Sequence, residues 1–130
     1  MLVIHDDNSI YLTRGDIASI QITALNSSGE GYLFKVGDIV RFSVYEKGRF
    51  DNLVLRRDAE VTTETNFVNI NLSGSDTKFG ELIHKPKQYW YEVELNPDTA
   101  PQTIIGYDDN GPKILTLFPE GVEPEWALNQ

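Results

Sequence analysis

The sequence contains no cysteine, one methionine and two histidines. Without thiols there is neither a disulfide framework nor a thiolate metal site. Basic residues are scarce: 11 Lys and Arg stand against 20 Asp and Glu, a net charge of −9. Such a surface repels phosphate, which disfavours nucleic acid and anionic membranes as partners. No apolar run approaches the roughly 20 residues of a membrane helix. The start, Met1-Leu-Val-Ile-His-Asp-Asp, lacks the basic and apolar regions of a signal peptide, so secretion by that route is not expected. The absence of cysteine fits assembly in a reducing cytoplasm. At 130 residues one domain is expected, able to bury roughly two-thirds of its unfolded surface.

What is present is alternation. Two Gly-Asp pairs each open onto a run of period two. After Gly15-Asp16, residues Ala18, Ile20, Ile22 and Ala24 point one way, and Ser19, Gln21 and Thr23 the other. After Gly37-Asp38, residues Val40, Phe42 and Val44 alternate with Arg41, Ser43 and Tyr45. A period of two predicts strands with one buried and one wet face. Gly tolerates positive φ and Asp bonds nearby N–H groups, so each pair supplies the turn that starts its strand.

Further strands are expected over residues 10–12, 53–57, 67–72, 88–95, 103–107 and 113–118. The last two flank Asp108-Asp109-Asn110-Gly111-Pro112, which reads as the tip of a hairpin. Ser73-Gly74-Ser75-Asp76 offers N-cap residues, and Phe79, Leu82 and Ile83 follow at helical spacing. These predict one short helix near residues 76–83, stopped before Pro86. Tyr32-Leu33-Phe34 reads as an apolar crossing between sheets. The fold expected is all-β, an Ig-like antiparallel β-sandwich of about eight strands with that helix as a connection. It spans residues 1–118, followed by a C-terminal arm at 119–130.

No catalytic constellation stands out. Arg14-Gly15-Asp16 spells the tripeptide recognised by integrins, but it sits where a short turn between strands is expected. Asp6-Asp7-Asn8 and Asp108-Asp109-Asn110 offer clustered oxygens without the regular spacing and closing Glu of a calcium loop, and read as turns. His5 and His84 have no nucleophile or carboxylate at a suggestive spacing; His84, beside Lys85 and Lys87, suits the end of the expected helix. No catalytic, cofactor or metal residue is assigned, and no cofactor is expected.

Tyr89-Trp90-Tyr91 carries more information. Tyr89 and Tyr91 belong with Val93 and Leu95 on the buried face, which leaves Trp90 beside Glu92 and Glu94. A Trp there is either covered by a loop or the arm, or is a contact surface. An aromatic sugar platform using Trp90 or Tyr107 is the alternative from another class. The candidate partner-binding residues are Trp90, Tyr32, Phe34 and Trp126.

Two stretches, Ile10-Tyr-Leu-Thr-Arg-Gly-Asp16 and Val36-Gly-Asp-Ile-Val-Arg-Phe42, resemble the start of the phage baseplate upper protein family. Tyr89-Trp-Tyr-Glu-Val-Glu-Leu95 and residues 101–121 resemble short members from prophages of gut Firmicutes that share this domain. The resemblance spans roughly residues 8–121 and rests on turns and core strands. It implies a small β-sandwich and a virion part of the tail or baseplate, assembled in the bacterial cytoplasm, not an enzyme. Its implied partners are other virion proteins and further copies of the chain; a host cell-surface glycan belongs to the separate alternative that uses Trp90 or Tyr107.

Overall fold

The computed structural model describes residues 1–120. Nine strands follow in order: β1 (Leu2–Ile4), β2 (Ile10–Thr13), β3 (Ala18–Ile22), β4 (Ile39–Glu46), β5 (Leu53–Glu60), β6 (Val68–Leu72), β7 (Lys87–Leu95), β8 (Gln102–Ile105) and β9 (Lys113–Phe118). Seven form one sheet in the order β1-β2-β9-β7-β4-β5, with β8 also on β7; β3 and β6 form a second, two-stranded sheet. The all-β expectation holds, and the two sheets are compatible with a β-sandwich. Their seven-to-two division is more lopsided than the Ig-like arrangement expected.

The core lies between the sheets, and alternation built it. In β3 the residues Ala18, Ile20 and Ile22 are buried while Ser19 and Gln21 are exposed. Its partner β6 buries Val68, Ile70 and Leu72 between exposed Asn69 and Asn71. From the large sheet, Val40, Phe42 and Val44 pair in register with Leu95, Val93 and Tyr91. The outward row of β4 departs from its pattern. Ser43 is fully buried and Tyr45 nearly so; the loop at residues 47–52 brings Phe50 against Tyr45.

The Gly-Asp turns form as read, with Gly15 and Gly37 both at positive φ. Asp38 accepts from the Lys35 N–H and the Tyr32 hydroxyl, both at 2.9 Å, and from Asn96 Nδ2 at 3.2 Å. Asn96 in turn accepts the Ile39 N–H at 2.9 Å. This network ties the start of β4 to the end of β7. At the first turn the buried Thr77 hydroxyl accepts the Gly15 N–H at 2.9 Å and donates to the Asp16 carbonyl at 2.8 Å.

Four expectations are corrected. The helix near residues 76–83 is a single 3-10 turn, Asp76–Lys78. The chain leaves helical space at Phe79, which is extended, and Gly80 then takes φ +72, which a residue without Cβ tolerates. The strands β8 and β9 do not form a hairpin. Both pair with β7, β8 along Val93–Leu95 and β9 along Lys87–Tyr91. With nine residues, β7 is long enough to take two partners on one side. The sandwich is not wholly antiparallel, because β2 and β9 run parallel. Finally, the lead-in at residues 1–9 contains β1, an edge strand on β2.

Candidate functional site

A cleft of about 600 Å³ opens between the two sheets. Its floor is apolar and buried: Ile10 from β2, Ile20 and Ile22 from β3, Tyr91 and Leu95 from β7. One wall is residues 20–25, and the facing wall is Gln102–Ile105 of β8. Each wall contributes consecutive residues. Successive strand residues point to opposite faces, so both strands border the cleft edge-on. Among the described residues β3 pairs only with β6, and β8 only with β7. The cleft therefore lies between two strand edges without partners. Among the described residues no Asp, Glu, Lys, Arg or His lines it, although 24% of the chain is charged. Sequence reading missed this site, since an open edge is the absence of a long-range pairing and leaves no local signal. Burial pushes the Tyr91 hydroxyl above its usual range, reinforced by the charge of Asp7; the hydroxyl donates to the Asn8 carbonyl.

Of the candidate contact residues, Tyr32 lines this cleft. It is half-buried, with its ring edge-on to Phe34 at 5.0 Å. Its hydroxyl titrates above the usual range because burial and the hydrogen bond to Asp38 both disfavour the phenolate. Phe34 is corrected: it is 0% exposed and belongs to the core. Its backbone is clamped to Thr65 by reciprocal bonds of 2.8 and 3.2 Å, so it presents no side chain to a partner. Trp126 lies outside the described residues.

Trp90 directly precedes Tyr91 of the cleft floor but lies on the opposite, outer face of the large sheet, and is half-buried. Its cover is a loop: Phe50 stacks at 4.9 Å and 45°, and Phe50 also meets Tyr45 edge-on at 5.3 Å. The Trp90 Nε1 is buried without a hydrogen-bond partner. Of the two explanations for an outward Trp, the loop cover is realised at this position. Tyr107 is 68% exposed.

The two Asp-rich turns meet. Residues 6–9 and Asp108, Asn110 and Lys113 line a pocket of about 500 Å³. The Lys113 ammonium, mostly buried, lies 2.6 Å from Asp108 and holds its carboxyl below the usual range, helped by the Asn110 N–H. Among the described residues no three His, Cys, Asp or Glu converge as a metal site. Arg14-Gly15-Asp16 is not displayed. The Arg14 guanidinium donates to Glu120 at 2.7 Å and to the Lys78 carbonyl at 3.3 Å, and the Gly15 N–H is bound by Thr77. His5 packs edge-on against Tyr11 at 4.5 Å, and His84 is exposed with no helix end beside it.

Comparison with known proteins returns nothing: no family model, no curated protein and no solved structure matches this chain.

Proposed function

We propose that this chain is a non-enzymatic structural protein of a phage or prophage tail or baseplate, acting through contacts with other virion proteins. The assignment to a virion comes from the resemblance carried by residues 10–16, 36–42, 89–95 and 101–121. Those stretches fall on the Gly-Asp turns and on β2, β4, β7, β8 and β9, the parts that define a scaffold.

The observation that carries the contact role is the edge at β1, which among the described residues pairs only with β2. Val3 and Ile4 are 39% and 43% exposed on opposite sides of this edge strand, and Tyr11 beside them is 38% exposed. An open strand edge flanked by apolar side chains is a template for adding another chain, which a free-standing domain ordinarily blunts with charge or proline. The alternative reading as a glycan module used Trp90 or Tyr107 as its platform; the Phe50 ring packed against Trp90 weakens the first, and Tyr107 is 68% exposed.

Deleting the coding segment from the lysogen that carries it tests the proposal. The expected particles have incomplete tail tips and do not infect. Intact, infective particles with an unchanged protein complement would overturn it.

A further inference from the structure

Among the described residues the small sheet is narrow: seven strands face two. Its strand β6 packs beside β5, which leaves the other edge of the sheet, β3, bordering the cleft. The inner face of the large sheet continues past that edge. Ile10 of β2 and Tyr91 and Leu95 of β7 form the cleft floor, and β8 forms the facing wall.

Both walls offer backbone. The ladders of β3 and β8 run to β6 and β7 respectively. No other main-chain hydrogen bond reaches residues 17–23 or 101–107 among the described residues. In an antiparallel pair, alternate residues turn their N–H and C=O groups away from the partner. Each wall therefore carries a row of donors and acceptors at strand spacing.

The side chains complete the chemistry. Among the described residues no charged group lines the cleft, so a charged occupant would lose water without gaining a counter-charge. Ile4, Leu25, Ile104 and Ile105 add apolar surface that is still partly exposed. A small apolar molecule fits the floor but leaves the two backbone rows unanswered. An extended polypeptide answers a row along its length and turns every second side chain to the floor. Laid about 4.8 Å from β3, it becomes the third strand of the small sheet.

We infer that the inter-sheet cleft accepts an extended, uncharged segment of a partner protein, paired with the edge of β3 and turning alternate apolar side chains onto Ile10, Tyr91 and Leu95. The chemistry of the cleft does not depend on the virion reading.

A displayed library of seven-residue linear peptides, panned against the full chain, supplies the probe. The control is the double variant Leu25→Glu with Thr103→Glu, which puts a carboxylate on each wall at two exposed positions. Peptides enriched on the parent should lack charge and carry Val, Ile, Phe or Tyr at alternate positions. Their synthetic forms should bind the double variant at least tenfold more weakly. N-methylation of alternate backbone amides, in the one of the two registers that faces β3, should also cost at least tenfold, because it removes the N–H groups the edge receives. No enrichment over the double variant, or binding indifferent to N-methylation in both registers, would overturn the inference. Dimers that form on concentration and are lost in the double variant would put a second copy in the cleft, and would overturn it as well.

Discussion

The hydroxyl of Tyr89 occupies the space that a Cβ on residue 80 would need. Tyr89 is fully buried on β7, its ring edge-on to Phe79 at 5.0 Å, and its hydroxyl has no hydrogen-bond partner. Gly80, at φ +72, meets both demands of the position: a left-handed backbone and no side chain.

Gly80→Ala should therefore destabilise the fold by about 2–4 kcal/mol, the sum of backbone strain and overpacking. Tyr89→Phe removes an unpartnered buried hydroxyl and should be close to neutral. The double variant should recover part of the loss. Urea unfolding of the four proteins forms the cycle, and strict additivity would show that the hydroxyl is not what Gly80 accommodates.

Asp38 is the junction of the second Gly-Asp turn. Its burial opposes ionisation, but the Lys35 N–H, Asn96 and Tyr32 outweigh this and hold its carboxyl below the usual range. Asp38→Ala should cost about 2 kcal/mol, since three donors lose their acceptor together. Tyr32, freed from Asp38, should titrate at lower pH than in the parent, measured by its ultraviolet absorbance.

The pH dependence of stability should have an acid component from Asp76. The Arg57 guanidinium and the Ser73 N–H pull its carboxyl down to about 2, against the opposing effect of burial. A carboxyl depressed on folding stabilises above its unfolded value and loses that contribution as pH falls through the folded one. Between pH 4 and about 2 the parent should thus lose more stability than Asp76→Asn. Thermal unfolding at a series of pH values reads this directly, and parallel curves would contradict the pairing.

Phe50→Ala should uncover Trp90 at a cost of about 1–2 kcal/mol, because Phe50 is itself partly exposed. In a Trp126→Phe background, Trp90 is the sole tryptophan and its emission should shift to the red. An unmoved emission maximum would mean that something besides the loop at 47–52 covers the indole.

These residues also mark how far the sequence could be read. Faces were legible wherever burial follows the two-residue period, as in β3, β6 and β7. Ser43 and Tyr45 broke the rule; a loop folds back against Tyr45, which alternation does not encode. The Asn-Gly step at 110–111 forms a turn, with Asp108 and Gly111 bridged, yet its flanking strands pair elsewhere because β7 offers both a longer edge. The capping pattern before Phe79 yields only a single turn, because the chain is already extended at Phe79, ahead of Gly80. Of the candidate contact residues, Tyr32 was found at the cleft, while Phe34 was a core residue because an apolar triplet does not announce which member turns inward. The cleft was invisible for the same reason that β8 and β9 were misjoined: both depend on which distant edges meet.

The central claim is that this chain is a built part of a virion tail. Quantitative mass spectrometry of gradient-purified tails from an induced lysogen tests it most directly. The account predicts the chain in a fixed whole-number ratio to the other tail proteins, retained through high-salt washing. Its absence from tails, with the protein recovered only in the soluble fraction of the host, would contradict the account.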